Sequence, residues 1–204
     1  MSDVSEYSEL YKNMDPYLPG IIYARPLQLQ TLLMGLRFFC LKTEAWKEDI
    51  GPFNLIESQT DYVLDWEWCA YIERVTKVGI NTEEGVDAGT DAAVLDPSLY
   101  VFDQPETLRL DSTQAPSADV SQGLEVQVAL VPKLDSTCAP TWLVNQYAEA
   151  LIARTISELA IIPEKTWTNP SVAAKFEQVF KDKWTTALVE NRRRNVDANT
   201  SFTA

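Results

Sequence analysis

The sequence predicts an α+β fold: an antiparallel bundle of about three long helices beside a small antiparallel β-sheet or hairpin domain, with extended termini. Three observations predict it. Apolar residues recur at helical spacing near the beginning of the chain and again over its last third. Between these stretches lie short runs rich in β-branched and aromatic residues. Proline and glycine fall at the joints, so the chain divides into an arm (1–24), one α+β domain (25–188) and a C-terminal tail (189–204).

Residues 1–24 read as an extended arm broken by Pro16, Pro19 and Gly20. Pro26 suits the first position of a helix over 26–44, because its missing N–H is not needed there. Leu29, Leu32, Leu33, Leu36 and Phe39 or Cys40 form the buried stripe of that helix. A β region follows over 52–131, with strands at 53–57, 62–66 and 70–78, and a hairpin of 99–103 with 107–110 around Gln104-Pro105-Glu106. The strand at 124–131 alternates, with Leu124, Val126, Val128 and Leu130 on one face and Glu125, Gln127 and Ala129 on the other. Residues 79–97, which are acidic, and 111–123, rich in Ser, Asp, Pro and Gln, read as solvent loops.

The last third reads as a helix hairpin over 141–188. Val144, Tyr147 or Ala148, Leu151, Thr155 and Leu159 give the first stripe, and Pro163 stops it. Asn169-Pro170 starts the second, whose stripe is Val172, Phe176, Val179 or Phe180, Trp184 and Leu188.

The charge excludes some functions. The chain of 204 residues carries a formal −13, so it does not bind nucleic acid through a generally basic surface. Six basic against four acidic side chains nevertheless leave residues 171–204 at +2 and the first 170 at −15. Such asymmetry points to a separate contact role for the C-terminus. The start, MSDVSEYSELY, lacks the pattern of a signal peptide, and residues 27–41 are too polar and too few to span a bilayer. Cys40, Cys69 and Cys138 are widely spaced, which fits neither a disulfide framework nor a zinc site and is expected of a reducing cytoplasm.

No catalytic, metal or cofactor site is expected. Histidine is absent, which removes His-assisted nucleophiles and the commonest metal ligand. No phosphate loop, dinucleotide fingerprint or CxxC pair occurs. Asp61 with Asp65, or Glu83 with Glu84, have the makings of a glycosidase-like pair, but in a chain with 30 acidic residues such neighbours arise by chance. Trp66 and Trp68 flank Glu67 and share one face of a strand. That pattern suits a core or subunit interface more often than a sugar-stacking platform. The residues alone thus indicate a scaffold or interaction protein, not an enzyme.

Four stretches in order carry a resemblance: LPG at 18–20 with a helix ending FFCLKTEAW (38–46); SQTDYVLDW (58–66) followed by AYIERVTKV (70–78); the hairpin at 100–110 followed by LEVQVALVP (124–132); and 140–180, with IIPEKTWTNPSVAAKFEQVF at 161–180. Together they resemble the head-to-tail adaptor proteins of tailed bacteriophages, especially short-tailed ones, over residues 18–195. The acidic stretch 79–97 departs from that pattern. The resemblance implies a virion structural protein of the neck, assembled in the host cytoplasm. It implies a ring of about twelve copies, a dodecamer closed by head-to-tail contacts. The ring docks beneath the portal protein, extends the DNA channel and receives the tail tube, nozzle or other tail proteins. DNA passes without specific binding, no membrane is involved, and a mainly acidic lumen is expected to repel phosphates. With −13 per copy, free subunits are expected to be mainly monomeric until the portal templates the ring. The tail at 189–204 is expected to dock on the portal through Arg192, Arg193, Arg194 and Phe202. The competing expectations are another neck or tail component, such as a stopper or tail terminator, and a carbohydrate-binding or carbohydrate-cleaving module built on Trp66 and Trp68.

Overall fold

The computed structural model describes residues 4–66, 69–81, 93–136 and 138–200, without the side chains of 4–6, 8, 9, 138 and 192–200. They fall into two units: Met1–Ala45 with Pro132–Ala204, and Trp46–Val131. This overturns the expected bundle of three long helices with a small sheet. Among the described residues there are four α-helices, α1 (Ser8–Met14), α2 (Arg25–Thr43), α3 (Thr141–Ala160) and α4 (Pro170–Thr200). The first three have 7, 19 and 20 residues, short to moderate lengths. Seven of the nine described strands, in turn, lie in the second unit, where Leu55, Leu64, Leu108, Leu124, Val126 and Val128 are buried as a core of its own.

In the helical unit the N-terminal segment is not an extended arm. A short strand β1 (Val4–Glu6) pairs with β9 (Cys138–Pro140), and α1 follows. Tyr7, Leu10 and Met14 are buried at helical spacing, a stripe that the breakers after it obscure in the sequence. Arg25, at the start of α2, grips both carboxylate oxygens of Asp15 at 2.7 and 2.8 Å and lies 4.8 Å over the Tyr11 ring. The fully buried Gln28 accepts from Arg25 and donates to the Met14 sulfur, so this amide is satisfied on both sides. A left-handed Glu44 ends α2, its N–H bonded to the Cys40 carbonyl at 2.8 Å.

α2, α3 and α4 meet at Arg154 of α3. Its guanidinium sits 5.3 Å from the centres of both Phe38 of α2 and Phe180 of α4. It also pairs with Glu158 one turn on. Gly35 lets α2 approach: a Cβ there would lie 3.2 Å from the Arg154 Cγ. A cation between two ring faces ties three helices with one side chain.

The sheet unit has two antiparallel layers. A four-stranded sheet runs in the order β2 (Lys47–Leu55), β8 (Val120–Pro132), β4 (Ala70–Ile80), β5 (Ala93–Val94). A three-stranded one runs β3 (Asp61–Val63), β7 (Thr107–Leu110), β6 (Tyr100–Asp103). β8 is longer than the alternation at 124–131 suggests. It begins at Val120, inside the expected loop 111–123, and passes Gly123, where a Cβ would stand 2.7 Å from both the Asn81 carbonyl oxygen and Leu55. The expected loop 79–97 is likewise partly strand, with Gly79 opposite Val94 and Ile80 opposite Ala93. Its residues 82–92 lie outside the described residues. β2 starts at Lys47, earlier than expected, and its register on β8 shifts between Ile50 and Phe53, next to Gly51 at φ 115°. That irregularity breaks the alternation on which the sequence reading depended.

Cys40 is a free, buried thiol whose pKa burial pushes far up. Cys69 is disulfide-bonded, contrary to the expectation that the cysteines remain unpaired. Sequence spacing does not report which thiols a fold brings together.

Trp46, wholly buried, donates its indole N–H to Glu48 at 3.2 Å. Partial burial, and secondarily Asp49, hold the Glu48 carboxyl above its ordinary value against the pull of that bond. A raised carboxyl contributes stability that is present below its unfolded pKa and lost as pH rises through the folded value. Glu48→Gln keeps an oxygen for Trp46 and never ionises. It is expected to raise the melting temperature modestly at neutral pH and to leave it unchanged at about pH 3, where both side chains are neutral. Thermal melts at the two pH values check this.

Candidate functional site: the C-terminal helix

The turn at Asn169 starts α4. Its side-chain oxygen accepts from the Val172 N–H at 3.2 Å and its carbonyl from the Ala173 N–H at 2.9 Å, and Pro170 opens the helix. Ala173, Phe180 and Ala187 then bury a stripe. Phe180 and Trp184 stack at 6.4 Å with 4° between planes, and Phe38 of α2 lies 6.2 Å from each. The outer face is polar and its groups are bonded: Lys181 to Glu177 at 2.8 Å, the Gln178 amide to Asp182 at 2.9 Å, and Lys183 to Glu149 of α3 at 2.6 Å.

The apolar stripe stops near Leu188, yet the helix does not. Asn191 is buried and donates to the Thr43 carbonyl at 3.2 Å. That carbonyl belongs to the last turn of α2, where intrahelical donors run out. The backbone of α4 then continues to Thr200. The tail expected from 189 onward is therefore helix as far as Thr200. Residues 171–204 contain no proline or glycine, and arginine is a good helix former.

Of the four expected docking residues, Arg192, Arg193 and Arg194 fall at consecutive positions of this helix, just past the Asn191 anchor. Positions about 100° apart fan round a helix rather than share a stripe. Phe202 lies outside the described residues. Asn191 was missed by the sequence reading, since a lone asparagine among charged residues looks like a solvated position. Arg154 had a signal: a single cation within the apolar stretch ALIARTISELA (150–160).

The residues of the carbohydrate reading are not assembled into a catalytic pair. Asp61 is exposed and receives the Arg109 N–H at 2.7 Å, with Asp103 at 3.4 Å from the same guanidinium. Asp65 is exposed on the segment after β3. The Trp66 ring is half-buried with its indole nitrogen out of solvent. Glu67, Trp68, Glu83 and Glu84 lie outside the described residues. A groove of about 380 Å³ between the end of α3 and the start of α4 has Glu158 and Glu177 in its wall. Each is already paired, with Arg154 and Lys181 respectively, and the Lys181 bond holds the Glu177 carboxyl below its ordinary value. Among the described residues no cluster of three or more His, Cys, Asp or Glu is arranged to hold a metal ion, and no helix is long and apolar enough to cross a membrane. The sequence matches no protein-family model and no curated protein.

Proposed function

We propose that this chain is a virion structural protein, a subunit of the head-to-tail adaptor ring of a tailed bacteriophage, docked beneath the portal and serving as the platform for tail proteins. One observation carries the reading beyond the sequence resemblance. The positive run Arg192 to Arg194 of a −13 chain sits on a helix that is stacked into the core through Phe180 and tied at Asn191 to the end of α2. A helix rooted in this way presents its continuation to a partner at lower ordering cost than a free tail, which would lose about 1–2 kcal/mol of backbone entropy per residue. Arginine suits bidentate pairing with carboxylates on a neighbouring ring.

Charge reversal tests it. Hydrogen bonds to charged groups contribute about 1.5–3 kcal/mol each, so Arg192→Glu, Arg193→Glu and Arg194→Glu together are expected to weaken portal binding at least about 100-fold. The melting temperature should stay close to that of the parent protein. Pull-down and calorimetry with the portal of the same virus measure the loss; unchanged affinity contradicts the docking role.

A further inference from the structure

The two units divide the charge of the chain unequally. The sheet unit, Trp46–Val131, contains 17 acidic and four basic side chains, a formal −13. The helical unit contains 13 of each and is neutral. The whole net charge of the chain therefore belongs to the sheet unit. Pairing inside that unit cannot remove it. Were each of Lys47, Arg74, Lys77 and Arg109 to hold one carboxylate, 13 carboxylates would remain without a cation of their own unit. Arg109 is shared between two of them, with Asp61 at 2.7 Å and Asp103 at 3.4 Å. In the helical unit the cations are matched instead, as in Arg25 with Asp15, Lys181 with Glu177, and Lys183 with Glu149. The excess also falls where the sheet is thinnest. The sequence joining β4 to β5 carries Glu83, Glu84, Asp87 and Asp91 and no cation. β5 itself has two residues, held on β4 by the pairing of Ala93 and Val94 and by the Leu95 N–H to the Val78 carbonyl at 2.9 Å.

We infer that the sheet unit is an ion-responsive element, tightened by cations of the surrounding solution and loosened at low ionic strength, whereas the helical unit is indifferent to both. Like charges held on one compact body oppose its compactness, and opening relieves them. The range of that repulsion is set by salt: the screening length is about 30 Å at 0.01 M and about 10 Å at 0.1 M. In dilute salt each carboxylate of the unit therefore feels most of the other 16; at higher salt it feels only its neighbours. In the neutral unit attraction and repulsion screen together, so salt leaves its balance nearly unchanged. The cations act as a diffuse atmosphere and occupy no fixed site. The inference is independent of the adaptor reading, and its test needs no partner protein.

Amide hydrogen exchange of the full chain, read by mass spectrometry in about 10 mM and about 200 mM potassium chloride at neutral pH, reports each unit separately within one molecule. Amides of β2, β4 and β8 are expected to exchange at least about fivefold more slowly in the higher salt, and those of α3 and of 170–191 to change by less than about twofold. Equal responses of the two units overturn the inference, as does a sheet unit whose exchange ignores salt. A second arm lowers the charge instead of screening it. Glu57, Asp65 and Glu106 are exposed, so Glu57→Gln, Asp65→Asn and Glu106→Gln together take the unit from −13 to −10 with little change in packing. In 10 mM salt the sheet amides of this variant should exchange more slowly than those of the parent, and its response to salt should be smaller. A folded variant that matches the parent at both salt concentrations overturns the charge argument, and the salt arm on the parent chain stands whether or not the variant folds.

Discussion

Cutting the chain after Asn191 is expected to abolish portal binding while leaving the fold intact. The deletion removes the arginine run and residues 195–204 and touches none of the described side-chain contacts of α4, the last of which is the Asn191 bond to Thr43. Cutting after Leu188 is different. It removes Asn191, leaves the Thr43 carbonyl at the end of α2 without its donor, and is expected to cost about 1–3 kcal/mol of stability. The pair of truncations therefore separates docking from folding: both lose the portal, and only the shorter chain melts earlier. Thermal melts and portal pull-downs of the two check it. Retained binding by either truncation contradicts the docking role, and equal melting contradicts the anchoring role of Asn191.

Replacing Trp46 by alanine should have the largest effect on stability. The side chain is fully buried in the sheet unit, its indole N–H is bonded to Glu48, and its carbonyl accepts from the Leu130 N–H at 2.9 Å. Trp→Ala in a packed core costs about 3–5 kcal/mol, against a total of about 5–15 kcal/mol for a typical domain. The expected result is a large drop in denaturant midpoint, with the Glu48 carboxyl left without its donor. Trp46→Phe, which keeps most of the packing, should recover much of the loss. Urea titration followed by circular dichroism measures both; a Trp46→Ala midpoint within error of the parent contradicts the burial argument.

Why some elements were legible in the sequence and others were not has physical causes. The stripes of α2 and α3 and the alternation of Leu124, Val126, Val128 and Leu130 were readable because one period held over several turns or residues; the structure buries the stripe of α2 from Leu32 onward, with Leu29 half-buried, and buries Val144, Tyr147, Leu151, Thr155 and Leu159 of α3 and the four strand residues. α1 was not readable, because seven residues give only two turns of stripe and three breakers follow closely. β2 was misplaced because its register shift next to Gly51 interrupts the alternation. The balance of helix and sheet was misjudged for a related reason: long helices announce themselves, whereas short strands add up to a second core only through pairings distant in sequence, such as Lys47 with Ala129. The candidate site divides in the same way. The arginine run was visible as composition. Its helical setting depended on Asn191 meeting Thr43, a contact across 148 residues that no local pattern reports.

The adaptor reading is tested most directly by electron microscopy of the chain mixed with the portal protein of the same virus. The account predicts a second ring stacked coaxially beneath the portal ring, its copies matched to the portal subunits and its density joined to the portal through the C-terminal helix. Portal rings that remain bare at saturating concentrations of this protein would contradict it.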